Sequence, residues 1–480
     1  MEGVVKRREQ PAVKTMSRSS PAFVPHPTWA ERYAMGEGLR KQCPRTSHAE
    51  WKPSSDRADP VHLIEESDKG RIPNLVPLRH GRMLESAFTF YRGAALNMAA
   101  DLATTPTTGV RVQACGDAHL VNFRGFATPE RRMNFDIHDL DETLPAPWEW
   151  DLKRLAASVV LACRENGFDR RAADDAALAC ARSYREHMSA YSELGALDVW
   201  YARLDPETLL SAIDDSKLRK SMQKRVETRI AKEQARTALE YDFPKLAKAT
   251  GEQVSLQDNP PTIYHFREDG RAGFDATVRE AFARYRETLA EDRRVVLDRF
   301  EFKDHAVKVV GVGSVGTMCA VVLLMAGERD PLFLQVKEAR ASVLEPYAGK
   351  SAYANHGQRV VVGHRLMQSA SDIFLGWTEN VGGRQFYIRQ LRDAKIKPNV
   401  ETFRAADMAV FAQWCGHSLA RSHARSGDAA VISGYLGKSD TFDKAIADFS
   451  AVYADQTERD YAVLKKAARS GRLKVLIEKT

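Results

Sequence analysis

The chain has 480 residues, 44% of them hydrophobic and 9% aromatic, and a formal net charge of +7. That length exceeds one ordinary domain, and the apolar content is enough to bury a sizeable core, so a globular protein of two or more lobes is expected. No apolar run approaches the roughly 20 residues needed to cross a bilayer, and the opening MEGVVKRREQPAVKTMSRSS carries charge with no apolar stretch behind it, which predicts a cytoplasmic protein without a membrane partner.

Residues 1–75 are rich in proline, serine and charge with few apolar periods, and read as an irregular N-terminal arm. From RMLESAFTFYRGAALNMAADLA at 82 the spacing is helical, and GVRVQAC at 109–115 alternates like a short strand. RMNFDIHDL reads as a second short strand. From Trp150 an apolar stripe of Leu152, Leu155, Ala156, Val159, Val160 and Cys163 predicts a helix, with Asp151 at its start in a capping position. Helices dominate to about 300, making 76–300 a large helical lobe. Basic residues cluster at 216–236, but the interspersed glutamates fit a solvated helix face and no aromatic-rich motif accompanies them, so nucleic acid is not the expected partner.

The texture changes at 306. AVKVVGV, TMCAVVLLMA and PLFLQVKEA are apolar, β-branched segments separated by GSVG and GERD, which predicts a three-stranded antiparallel meander inside a small β-rich lobe over 301–395. A helix at 352–370 and a strand RQFYIRQL at 384–391 follow, and helices over 396–480 complete the large lobe. The fold class expected is α+β. Six cysteines, Cys43, Cys115, Cys163, Cys180, Cys319 and Cys415, include no CxxC pair and are read as buried free thiols.

Two constellations carry chemistry. CGDAHLVNF places Asp117 five residues before Asn122, the spacing of aspartate and asparagine in a kinase catalytic loop, where a base and a metal ligand stand together. Asp139 and Asp141 in NFDIHDLDE add hard oxygen ligands suited to magnesium. The alternative is a well-capped turn, since such residues often serve only as caps, and His119 and His138 can equally be packing groups. In the second constellation, Gly311, Gly313, Ser314 and Gly316 of GVGSVGT leave backbone amides free to approach phosphates, and Lys337 falls on the third strand, where a kinase carries its phosphate-binding lysine. A dinucleotide-binding turn, with Glu338 as its acid, would need a helix after these glycines, and the sequence there favours a strand. Glu345 is the nearest acidic candidate to orient Lys337, although Pro346 argues against a mid-helix location, and Gln358 is a substitute.

The motifs RHGRM, FYRGAA, CGDAHLVNF, DLDET with WEWDLKRLAAS, GVGSVGT, LQVKEA, YIRQLRDAK and SLARSHARSGD, spread over most of the chain after the arm, resemble the bacterial DUF2252 family, which implies no particular substrate. GDAHLVN, HDLDE and WDLKRLA together are similar to the aminoglycoside-phosphotransferase branch of the kinase-like fold. That resemblance implies Asp117 as catalytic base, Asn122 and Asp139 as metal ligands with Asp141 assisting, Asp151 as a buried brace of the loop and His119 as loop support. Cys115 stands where that motif has histidine, which removes one bracing hydrogen bond. Lys337 and the glycine loop follow Asp117 instead of preceding it, so the resemblance implies a two-lobed, circularly permuted kinase-like protein, a rearrangement that domain termini at the surface permit. The expected activity is phosphoryl transfer from ATP with Mg2+ to a hydroxylated small molecule or protein, with nucleotidyl transfer as a variant and adenine held by a hinge after strand 386–391. Two rivals are a non-catalytic, pseudokinase-like nucleotide-binding module and a metal-dependent hydrolase built on Asp117, His119, His138 and Asp139.

Overall fold

A computed structural model describes residues 27–235, 238–250, 253–265, 268–309, 311–391 and 394–478. The chain is mixed α+β. Its main core surrounds the helix Trp148–Glu165, which is buried on every side from Trp148 to Cys163. The predicted apolar stripe lies in this helix, and Glu149, Lys153 and Arg154 are buried with it, because the helices Arg170–Ser192, Ala405–Ser426 and Thr441–Arg469 pack around it. Charged side chains so enclosed must find partners or ligands inside the molecule.

The expected meander is present as Glu301–Lys308, Cys319–Ala326 and Asp330–Glu338, and it forms the centre of a larger antiparallel sheet. Gln385–Gln390 and then Gly376–Glu379 extend it on one side, and Ile263–Tyr264 on the other. Side chains alternate between its faces. Val322, Leu324, Leu332, Leu334 and Ile388 pack against Tyr285 and Leu289, while Val321, Leu323 and Phe333 pack against Leu246 and Leu256. Both faces are covered, which is why these strands read as unbroken apolar runs.

Two small ribbons pin the segment around Asp117. Arg111–Ala114 pairs with Leu144–Pro147, and Phe123–Ala127 pairs with Met133–Ile137, so the loop from Cys115 to Asn122 is fixed at both ends. The helix predicted at 352–370 runs over His356–Met367 and lies against the sheet's far strands.

Three expectations differ from the structure. The arm is not irregular where it is described: Trp29–Leu39 is a helix with a Thr28/Glu31 capping box, and Pro60–Asp68 is another. A β-carbon on Gly36 would stand 2.0 Å from the Val431 carbonyl oxygen, and one on Gly434 would stand 2.0 Å from that of Tyr33. This helix therefore docks through glycine contacts that leave no apolar period in the sequence. Residues 1–26 of the arm lie outside the described residues. Second, the largely helical stretch to 300 contains a ribbon, Ala247–Thr250 with Gln253–Leu256. Third, Asp151 does not cap its own helix, which begins earlier, after Pro147. Among the described residues no helix is long and apolar enough to cross a membrane.

Candidate functional site

The two chemical segments, remote in sequence, line one cleft of about 1550 Å³ including its open mouth: Asp117, His119, Asn122, Asp139 and Asp141 on one side, Gly311, Gly313 and Ser314 on the other. Lys337 ties them. Its Nζ lies 3.0 Å from Asp139 Oδ1 and 2.6 Å from Asp141 Oδ2, and it stands over the Tyr387 ring. The antiparallel register sets Lys337 opposite Tyr387, and the Tyr387 hydroxyl donates to Asp141.

Electrostatics follow from this packing. Burial would raise the Asp139 carboxyl, but Lys337 and then Arg389 outweigh it and hold the group well below the usual carboxylate range. The Lys337 ammonium is held well above its ordinary value because Asp139 and Asp141 more than offset its burial. Burial and the Asp139 charge raise the Asp141 carboxyl against Lys337, and such a pair of carboxylates suits a hard divalent ion bound together with phosphate oxygens.

The loop carrying Asp117 is clamped from beneath. Asp151 accepts hydrogen bonds from the Cys115 amide (2.6 Å) and the Gly116 amide (2.9 Å), and His423 Nε2 lies 3.2 Å from the same carboxylate. Gly116 has φ +78°, and a β-carbon there would meet the Glu142 carbonyl oxygen at 2.5 Å, so only glycine fits. The buried Cys115 thiol contacts the Asp139 carbonyl oxygen at 3.6 Å.

Asp117 is held through one oxygen only. Oδ1 accepts from Arg154 Nε at 2.7 Å and from Arg154 Nη2, while no described donor bonds Oδ2; His119 Nε2 stands 4.0 Å from it. Burial pushes the Asp117 carboxyl up, against the pull of Arg154. Burial and the neighbouring guanidinium groups of Arg92 and Arg154 press the His119 imidazole well below its ordinary value, so it is a neutral group at neutral pH.

Asn122 is a clasp. Its Nδ2 donates to the carbonyls of Asp117 (3.1 Å) and Asp139 (2.8 Å), and its Oδ1 accepts from the Asp139 amide at 2.7 Å. The carboxamide oxygen keeps one lone pair for a cation.

The glycine loop is held through its backbone. Gly311 and Gly316 have φ of +67° and +86°. Arg71 Nη1 donates to the Val315 carbonyl at 2.6 Å, Arg82 Nη1 to that of Gly311 at 2.6 Å, and the Ile72 amide to that of Gly316 at 2.7 Å. Ser314 Oγ reaches Asp141 at 3.4 Å.

One sequence expectation fails here, and two rival readings lack the geometry they need. Glu345 does not meet Lys337: it sits at the start of the short helix Glu345–Ala348, 3.7 Å from His356 Nδ1. The helix His356–Met367 instead presents Arg359, which donates to the carbonyls of Asp141 and Arg340, both at 2.8 Å, and Gln358 is held by Asn355. The glycines lead into a strand, as the sequence favours, and Glu338 Oε2 accepts from the Met318 amide at 2.8 Å, so the rival dinucleotide-binding turn does not form. For the rival hydrolase, His138 lines a separate cavity with Phe126, His364 and Arg389, away from Asp117 and His119, and among the described residues no three His, Cys, Asp or Glu side chains are grouped to hold a metal. LRDAK, just past the strand that leads to the expected hinge, includes Arg392 and Asp393, which lie outside the described residues.

Sequence reasoning misses Arg154, Tyr387, Arg359 and Arg71. Arg154 lies three residues after Asp151, on the buried side of a helix that looks one-sided in sequence. Tyr387 can be found only through the strand register that pairs it with Lys337.

A family model described as an uncharacterized protein conserved in bacteria matches residues 71–467, which include every residue of the cleft described above except Ser67. No curated protein and no solved structure matches the chain. The match spans most of the sequence, and the chain belongs to the DUF2252 family.

Proposed function

We propose that the protein is a phosphotransferase using ATP and Mg2+, built as a circularly permuted kinase-like fold with a large helical lobe over 76–300 and 396–480 and a small nucleotide-holding lobe over 301–395. The observation that carries this reading is the contact of Lys337 with Asp139 and Asp141 in the cleft that also holds Asp117 and the glycine loop. Phosphoryl transfer asks a protein mainly for positioning and charge compensation, and these are the groups it needs.

Asp139 and Asp141, with the free lone pair of Asn122 Oδ1, would hold Mg2+, and Gly313 to Gly316 with Lys337 would hold the phosphates. Bound with its metal, ATP supplies the phosphoryl group and its charge neutralisation. Asp117 orients the acceptor hydroxyl through Oδ2 and takes its proton, while Arg154 fixes the carboxylate by Oδ1. Asp151, Gly116 and His423 are positioning groups that hold the loop while the cleft is loaded. Nucleotidyl transfer would use the same residues with a different nucleotide pose.

The test is turnover of γ-labelled ATP by the full chain across pooled hydroxylated acceptors, with and without Mg2+. Metal-dependent transfer that Asp117→Asn abolishes while nucleotide still binds is the expected result. Saturable nucleotide binding without transfer to any acceptor would replace this reading with a non-catalytic nucleotide-binding module.

A further inference from the structure

Beside Asp117 the cleft holds positive charge that the chain itself compensates only in part. Arg92, in the last turn of the helix Ala87–Gly93, and Arg124, at the start of the strand Phe123–Ala127, both line the cleft with Asp117 and His119. Arg92 lies over the Phe88 ring, and its Nε is buried with no hydrogen-bond partner. Arg124 spends its Nε on the Val121 carbonyl at 3.2 Å. Among the described residues neither forms an ion pair, whereas Arg57, Arg79, Arg154 and Arg421 each meet a carboxylate. Burial lowers both guanidinium groups, and the two repel each other and Lys397. Nearby acids compensate them only in part: Asp117 and Asp139 pull them upward but bond to Arg154 and Lys337, and Glu85, Glu165 and Glu401 are exposed.

A guanidinium drawn out of water with no paired counter-charge is costly, and such a group in a cleft marks a place where a ligand supplies the charge. In the proposed reading the nucleotide's phosphates have their own cation in Lys337, which contacts Asp139 and Asp141. We propose that Arg92 and Arg124 form an anion site for the acceptor, so that the molecule presented to Asp117 carries a phosphate or carboxylate group near its reacting hydroxyl. The acceptor assignment rests on the phosphotransferase reading, but the anion site does not. Two planar guanidinium groups lining one cleft beside Asp117 suit the oxygens of such a group.

The test is calorimetric titration of inorganic phosphate, and separately of acetate, into the full chain, alone and saturated with magnesium and a non-hydrolysable ATP analogue. Phosphate should bind in both states. Arg92→Gln and Arg124→Gln should each weaken it at least about tenfold while changing affinity for the analogue by no more than about threefold, and Lys220→Gln, an exposed control, should change neither. Thermal melts of each variant verify folding. Stronger binding of phosphate than acetate assigns a phosphorylated acceptor, and the reverse a carboxylate. Phosphate binding absent from the wild type, or equal in wild type and both arginine variants, overturns the site. Loss of analogue affinity in the arginine variants reassigns the arginines to the nucleotide and overturns the acceptor proposal. If no ATP turnover occurs yet phosphate binding still depends on Arg92 and Arg124, the phosphotransferase reading fails and the anion site stands. Turnover on uncharged acceptors that is insensitive to both arginines keeps the phosphotransferase reading and overturns the acceptor proposal.

Discussion

The two walls of the cleft are held in different ways. The loop from Cys115 to Asn122 rests on buried side chains: Asp151 and His423 from two helices below, Asn122 across to Asp139, and Arg154 on Asp117. The glycine loop from Gly311 to Thr317 buries Val312 and Val315 in apolar clusters, and arginines and one amide reach its carbonyls. A wall built on buried charge tolerates little displacement, because each lost partner strands another polar group. A wall held by apolar packing and carbonyl contacts strands no carboxylate when it shifts, so it can adapt to what enters. The difference matches the division of labour proposed: a rigid carboxylate side for chemistry and a compliant side for phosphates.

Substitutions on each wall test that contrast. The largest effect is expected from Asp117→Asn, which removes the proton acceptor but keeps shape and the Arg154 contact; turnover of labelled ATP should fall about 10³-fold. Asp151→Ala leaves the Cys115 and Gly116 amides and the His423 imidazole without their shared acceptor, and urea unfolding should show a loss of about 3 kcal/mol. Arg154→Gln separates the two forces on Asp117. Burial raises that carboxyl and Arg154 lowers it, so with the guanidinium gone the group protonates at higher pH. Activity that needs its ionised form should then fail sooner as pH drops, moving the acid limb of the rate profile upward. On the other wall, Arg71→Ala frees the Val315 carbonyl of the glycine loop and the Ser67 carbonyl, and stability should fall by about 1–2 kcal/mol, less than for Asp151→Ala, with weaker nucleotide binding as the main readout. Equal destabilisation by Asp151→Ala and Arg71→Ala would remove the distinction between rigid and compliant walls.

Legibility in the sequence follows the same division. The strands of the sheet are readable because both faces are buried and the runs are β-branched, and Lys337 can be placed on the third of them. Asp117, Asn122 and the two aspartates are readable as a group because they are close along the chain. Contacts between distant segments leave no such trace. Arg154 stands in the sequence as one charge on an apolar stripe, since nothing local says that the helix is enclosed on all sides. Tyr387 and Arg359 act through strand register and helix placement, which a single sequence does not encode locally. Glu345 is a candidate only by its proximity in sequence, and the turn before the helix His356–Met367 carries it to His356 instead. The helix Trp29–Leu39 escapes a reading by periodicity because its docking depends on Gly36 and Gly434, which lack the apolar side chains that periodicity detects.

The central claim is that two segments separated by some two hundred residues form one metal-dependent nucleotide site. Its most direct test is equilibrium binding of a fluorescent ATP analogue to the full chain with Mg2+ or with chelator, in the wild type, Asp139→Asn and Gly316→Val. The account predicts saturable binding that requires the metal and is weakened about tenfold or more by each substitution, one from each segment. Binding indifferent to metal and to both changes, or no binding at millimolar nucleotide, would contradict it.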